Sequence, residues 1–252
     1  MNTNLTEQVV VEKIKHVQHF FDEPKNSLAR NSFDIRVRAE TTEALLRGRK
    51  FATIMDVGCG DGSVSLPLLS AQSRLTLLDI SPNMLSLAKS RVAEGLATNV
   101  ELINADFMAT PFEDGSFDLI ICIGVLAHVS SPRDVIQKIA TVLRPGGTLI
   151  LQCTDSAHWY RRLLSLYRET LTLFRRSLYR AGSLTNRGVL QMTAECGLRA
   201  DGAFCYSWLP PGSHRIFSQA TLYRMVRGIF GDVAHNRNRW LASEYIYAFT
   251  RD

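Results

Sequence analysis

The segment Asp56-Val57-Gly58-Cys59-Gly60-Asp61-Gly62 constrains this chain more than any other. Its glycines alternate with single residues, directly after the apolar run Phe51–Val57 and ahead of a stretch that reads as helical. Glycine enters positive φ without steric penalty and lets a ligand lie against the main chain. A helix beginning just beyond such a loop adds unpaired N–H groups and the positive end of its dipole, which suit a carboxylate or phosphate. The pattern predicts a strand, a tight turn and a helix, with a ligand in the crook.

The rest of the chain repeats the rhythm of short apolar runs between helical stretches. Phe51–Val57, Leu75–Asp79, Val100–Asn104, Leu119–Ile123 and Thr148–Cys153 read as buried strands. Ser81-Pro82 and Ser131-Pro132 read as helix N-caps followed by a first-turn proline, with Gly95 and Pro145-Gly146-Gly147 as the matching stops. Helices are expected near 6–21, 33–47, 185–196 and 218–230, and further strands over 198–207 and 244–250. Strands alternating with helices predict a parallel sheet covered on both faces.

Two further acids stand where such a sheet binds ligands, outside the carboxyl ends of its strands. Asp79 closes the second strand, where a carboxylate can accept from both hydroxyls of a ribose. Asp106 follows the third strand in Asn104-Ala105-Asp106-Phe107, where an acid can accept from an adenine amine with Phe107 beside the ring. Either acid alone reads equally well as a helix cap. Glycine loop and acids at the ends of successive strands point together to an adenosine. The spacing GxGxG differs from the GxGxxG of dinucleotide sites and from GxxxxGK[ST] of P-loops.

This set resembles the class I S-adenosylmethionine-dependent methyltransferases over about Phe51 to Gln152, nearest to the small-molecule branch that includes ubiquinone and menaquinone methyltransferases. Phe117-Asp118-Leu119-Ile120 and Leu143-Arg144-Pro145-Gly146-Gly147 add to the likeness. The resemblance implies a Rossmann-like, seven-stranded, mostly parallel sheet with helices on both faces. It also implies a helical cap built from an N-terminal lid segment (1–50) and from insertions near 155–183 and 208–241 of the main domain (51–252). S-adenosylmethionine is the implied cofactor. Gly58, Gly60 and Gly62 would line its methionine part and Asp56 would face its ammonium. Asp79 would hold the ribose, with Ile80 and Met84 against the adenine, which Asp106 and Phe107 would hold. Ile123 and Gly124 would lie beside the transferred methyl, and Arg36 or Arg38 would pair with the carboxylate.

Methyl transfer from a sulfonium asks mainly for alignment of the acceptor and exclusion of water. A base is needed only if the acceptor must lose a proton. His128, just past the fourth strand, is the first candidate and His158, past the fifth, the second. No metal is implied, because Cys122-Ile123-Gly124-Val125 lacks the carboxylates of catechol-type enzymes. The same stretch lacks the [DNS]PP[FWY] tetrapeptide of amino-group nucleic-acid methyltransferases, so nucleic acid is not the expected partner.

Charge and cysteine usage refine this reading. Residues 1–152 carry 15 basic and 17 acidic side chains, whereas residues 153–252 carry 14 arginines, no lysine and 7 acids. Arginine without lysine favours planar hydrogen bonding over general solubility. Residues 158–180 project as an amphipathic helix with Trp159, Leu163 and Tyr167 on one face and arginines on the other. It reads as a packing face, a lid over an apolar substrate, or a peripheral membrane contact. The five cysteines form no CxxC pair, which suits free thiols in a reducing cytoplasm, and the polar start of the chain does not read as a secretory signal. The expected partner is a small lipophilic or aromatic metabolite. An RNA or protein substrate, or a cofactor-binding protein that does not methylate, are the alternatives.

Overall fold

A computed structural model of the protein describes residues 32–159, 184–207 and 213–252. The expected helix near 6–21, the expected helix 158–180 from residue 160 onward, and the loop from Leu209 to Gly212 lie outside the described residues.

Seven strands form one sheet: β1 (Thr53–Val57), β2 (Arg74–Asp79), β3 (Val100–Asn104), β4 (Phe117–Cys122), β5 (Leu143–Thr154), β6 (Leu198–Tyr206) and β7 (Glu244–Arg251). Their order is β3-β2-β1-β4-β5-β7-β6. Strands β1 to β5 run parallel, and β7 runs antiparallel between β5 and β6. The chain winds outward from β1 to β3 and then returns to place β4 on the other side of β1. The strand order therefore reverses between β1 and β4, the point at which open α/β sheets leave a crevice for ligands.

Alternate side chains of the central strands enter two apolar layers, and both are buried, so these strands read as continuous apolar runs. One layer joins Ile54, Ile121, Ile150 and Ile246 to helix α1 (Ser32–Leu46), helix α2 (Pro82–Arg91) and helix α6 (Gln219–Phe230). The other joins Met55, Ile120 and Leu149 to helix α3 (Pro132–Val142) and helix α4 (Asn186–Glu195). A four-residue helix, α5 (Ser213–Ile216), precedes α6. Helix α1 lacks a clean apolar stripe: Phe33, Val37, Leu45 and Leu46 are buried, but so are Asp34, Thr41 and Thr42. Polar groups facing a sheet need partners there, and those of Asp34 belong to the site described below.

The capping signals hold where expected. Ser81 accepts the Met84 amide at 3.3 Å, Ser131 that of Asp134 at 3.4 Å, and Ser218 that of Thr221 at 3.2 Å. Three local expectations need correction. No α-helix follows the glycine loop. Leu66 donates to Gly62 O at 2.9 Å, but Pro67 has no N–H to continue that ladder. The segment tightens instead into a single 3-10 turn, Leu66–Leu68, so the argument from a helix dipole has no helix behind it. Helix α2 ends at Arg91, and Gly95 falls inside the 3-10 turn Glu94–Asn99 rather than at a helix stop. Helix α3 ends at Val142, and Pro145-Gly146-Gly147 lies within β5.

Candidate active site

The glycine loop closes β1 at the switch point. Gly58 and Cys59 both donate to the Leu78 carbonyl, at 2.8 and 3.1 Å, which stitches the loop to the end of β2. Gly58, Gly60 and Gly62 have φ of +68, +54 and +73°. Their surroundings differ. A Cβ on Gly58 would meet Val125 Cγ2 at 2.5 Å, and one on Gly62 would meet Leu66 Cδ1 at 2.7 Å, whereas one on Gly60 would meet nothing within 4 Å. Gly58 and Gly62 thus permit close packing, and Gly60 is the glycine that faces open space.

Asp79 sits at the carboxyl end of β2, buried, with Oδ2 on the Gly60 amide and Oδ1 on the Ser81 amide, both at 2.8 Å. It braces the loop and the start of α2 together. A carboxylate oxygen can accept more than one hydrogen bond, so this bracing is compatible with holding a ribose. Ile80, beside it, is half-buried, and Met84 is buried on the first turn of α2. Asn104 donates to the Asp79 carbonyl at 3.0 Å, tying β3 to β2. Asp106 accepts the Met108 amide at 2.9 Å, folding the turn after β3. The Phe107 ring is placed in the apolar layer, 5% exposed and stacked on Phe112 at 5.9 Å. It supports that turn from beneath.

Lys138 completes the turn and was not singled out from the sequence. Its ammonium donates to the carbonyls of Phe107 and Thr110, both at 2.6 Å, and of Met108 at 3.2 Å. It also lies 4.9 Å from the Phe107 ring centre, and burial pulls its pKa down. No motif marks a lone lysine on a helix as such a clamp.

Asp56 is buried on β1, and its Oδ2 has no hydrogen-bond partner among the described residues. Burial, then the charges of Asp79 and Asp61, push its pKa up to about 7, against a smaller lowering by the nearby Ser65 hydroxyl. Asp61 itself is occupied by Arg91, at 2.5 Å. Asp56 is therefore a buried carboxyl with one oxygen lacking a donor, at the start of the loop.

At the end of β4, Ile123 is buried and Gly124 has φ +75°. Arg38 Nη1 lies 3.3 Å from the position a Gly124 Cβ would take. Of the two expected arginines, Arg38 reaches the site. Arg36 instead pairs with Glu40 at 2.7 Å and stacks on Tyr223 at 4.0 Å. Arg38 is held by Asp34 at 2.8 Å, and Asp34 in turn accepts from the fully buried Tyr206 hydroxyl at 2.6 Å. Beside this group Glu244 accepts from Thr154 at 2.7 Å and Gln152 at 3.2 Å. Thr154 and Tyr206 both pair with Glu244 across adjacent strands, so these side chains share one face of the sheet. Asp34, Tyr206, Glu244 and Gln152 were missed in the sequence. Their signal was weak: Gln152, Tyr206 and Glu244 are polar residues near the ends of strands that otherwise run apolar, and Asp34 is one acid in the first turn of a helix.

His128 stands half-buried on the turn after β4, with its amide on Val125 O at 2.8 Å. His158 follows β5, and its Nε2 lies 3.0 Å from the Trp240 carbonyl. A carbonyl only accepts, so in the neutral ring Nε2 carries the hydrogen and Nδ1 is the basic nitrogen. Both histidines thus follow strand ends on the edge of the sheet that carries the glycine loop.

A parallel sheet with an antiparallel seventh strand, and a glycine loop at its switch point, defines the Rossmann-like methyltransferase architecture. Residues 55–151 match the family model of a methyltransferase domain. A demethylmenaquinone methyltransferase of Listeria monocytogenes is 31% identical over 157 residues, which are 59% of this chain and 65% of that protein. The chain thus spans just under two thirds of that relative. The demethylmenaquinone methyltransferase of Lactococcus lactis is 29% identical over 202 residues, 77% of each protein. A S-adenosylmethionine-dependent methyltransferase of Thermotoga maritima, described as a possible histamine N-methyltransferase, shares the fold with a TM-score of 0.64 at 15% identity, over 93% of this chain and 99% of that one. Residues 55–151 thus carry a methyltransferase domain, on the fold shared with S-adenosylmethionine-dependent methyltransferases.

The residues present fit the cofactor of that family. Gly60 leaves the space, Asp56 offers an unsatisfied buried oxygen to a cation, and Arg38 brings a guanidinium to Gly124 for an anion.

Proposed function

We propose that this chain binds S-adenosylmethionine and transfers its methyl group to a small, lipophilic, aromatic metabolite of the quinol type. The observation that carries this reading is the convergence at one switch point of the open face of Gly60, the unpartnered oxygen of Asp56, and Arg38 beside Gly124. When bound, S-adenosylmethionine supplies an electrophilic methyl group on a sulfonium.

The protein's share is positioning. Asp79, braced on the loop, holds the ribose, and the Asp106 turn holds the adenine. Asp56 meets the ammonium, and Arg38 the carboxylate. Ile123 and Gly124 face the reacting centre, where apolar and backbone surface leaves room for an acceptor and keeps water out. His128, or His158 through Nδ1, takes the proton of a hydroxyl acceptor. The demethylmenaquinone methyltransferases among its relatives, and the exposed Trp159 and Trp240 flanking the end of β5 and the start of β7, support an apolar acceptor.

The test combines calorimetry with S-adenosylhomocysteine and turnover of S-adenosylmethionine with an alkylated naphthoquinol as acceptor. Cofactor binding with methylated quinol is the expected result, and His128→Ala is expected to slow that turnover. Binding of a nicotinamide or flavin in place of either adenosyl compound would overturn the reading of the site. Adenosyl binding with turnover only on RNA or protein would overturn the acceptor class alone.

A further inference from the structure

Arg38 is the expected cofactor contact that helix α1 brings to the site from the N-terminal part of the chain, and it comes from a helix rather than from a strand end. An arginine has long, freely rotating torsions, and a useful clamp needs its guanidinium held before the ligand arrives. Within the described residues the means of holding it is visible. Tyr206 donates to Asp34 Oδ1 at 2.6 Å, which leaves Oδ2 to take Arg38 Nη2 at 2.8 Å. Nη1 is thereby aimed at Gly124, and Nε has no hydrogen-bond partner. The tyrosine is locked in its turn, being fully buried with its ring 5.9 Å from that of Phe204 in β6. Glu244, the second carboxylate near the guanidinium, has Oε2 occupied by Gln152 and Thr154.

We infer that Tyr206 and Asp34 are positioning residues that orient Arg38 toward the carboxylate of the cofactor, linking the last strands of the sheet to recognition of the methionine tail. The inference rests on the reading of Arg38 as the carboxylate clamp. Tyr206 touches no ligand in this scheme and acts through Asp34. Gly124 is part of the same device, because a Cβ there would crowd Nη1 at 3.3 Å.

The test is calorimetric titration with S-adenosylmethionine and with decarboxylated S-adenosylmethionine, which differs only in lacking the carboxylate. The wild-type protein is expected to prefer the former by roughly 10–100-fold, the range for a charge-assisted hydrogen bond. Tyr206→Phe keeps the buried ring and removes only the hydroxyl. It is expected to cut that preference by roughly 5-fold or more while leaving affinity for the decarboxylated compound within about twofold. Arg38→Lys keeps the charge but cannot hold Asp34 and reach Gly124 together, and is expected to lose the preference likewise. Full preference retained in Tyr206→Phe, or equal weakening of both ligands, would overturn the positioning role. No preference in the wild-type protein would overturn the clamp itself, and failure to bind either compound would overturn the proposed function.

Discussion

Asp79 Oδ2 accepts the Gly60 amide at 2.8 Å, so the acid read as a ribose ligand also fixes the glycine of the loop that faces open space. Its role is double, and the two parts are separable. Removing the carboxylate leaves the amides of Gly60 and Ser81 without their acceptor whether or not the cofactor is present. Asp79→Ala is therefore expected to destabilise the free protein by about 1–3 kcal/mol and to weaken cofactor affinity by a further ~1–3 kcal/mol. Urea unfolding of the free protein checks the first part and calorimetry the second. Unchanged stability of the free protein would show that the bracing is not significant.

The three loop glycines are expected to respond differently to alanine. All have positive φ, which costs a side chain roughly 1–2 kcal/mol. At Gly58 the new Cβ would also stand 2.5 Å from Val125 Cγ2, across the switch point from β1 to β4. Gly58→Ala is expected to lose about 2–4 kcal/mol of stability, with partial recovery in combination with Val125→Ala. At Gly60 the space is open, so Gly60→Ala is expected to show little beyond the backbone penalty but a clear loss of adenosyl binding. Thermal unfolding beside S-adenosylhomocysteine titration separates the two. Equal loss of stability at both positions would contradict the packing difference.

Much of this architecture was legible in advance, for identifiable reasons. All seven strands were expected within a few residues of where they lie, helped by central strands such as β1 and β4 that are buried on both faces and leave unbroken apolar runs such as Leu119-Ile120-Ile121. The caps at Ser81 and Ser131 were legible because serine before proline has a local physical meaning. The missing helix after Gly62 was signalled by Pro67, whose absent N–H outweighs the surrounding periodicity. The polar group of Asp34, Arg38, Tyr206 and Glu244 was not legible as a unit. It joins residues as far apart as 172 positions, and no local spacing encodes such a contact. The packing of Phe107 was not legible for a related reason: an aromatic after an acid can face a ligand or a core, and its place beside Phe112 and Lys138 comes from tertiary contacts.

Lys138 offers a test of the turn that carries Asp106. Its ammonium meets three carbonyls of residues 107–110, with the Phe107 and Phe112 rings beneath. Lys138→Met keeps the apolar stem and removes the donor. Partial exposure limits the effect on stability, expected at about 1–2 kcal/mol. The specific expectation is faster hydrogen exchange across the 107–110 turn, with weaker binding of adenosine itself. Exchange confined to wild-type rates would show that the turn holds without the lysine.

Asp56 gives the sharpest dependence on pH. Its folded pKa of about 7 stands above the ordinary 3.8 of an aspartate, because burial and the neighbouring Asp79 and Asp61 disfavour its charge. The folded state then binds more protons than the unfolded one between those two values. The stability Asp56 contributes is therefore fully present below about pH 4 and is lost as pH rises through about 7. Asp56→Asn is expected to flatten that part of the stability profile and to make the free protein relatively more stable at pH 8. A cationic ligand group placed against Oδ2 would favour the ionised carboxyl, so binding at pH 7 should release roughly half a proton. Calorimetry of S-adenosylmethionine binding in buffers of different ionisation enthalpy measures that release directly. It is expected to vanish in Asp56→Asn, and proton uptake in the wild-type protein would mean that the ammonium does not lie against this carboxylate.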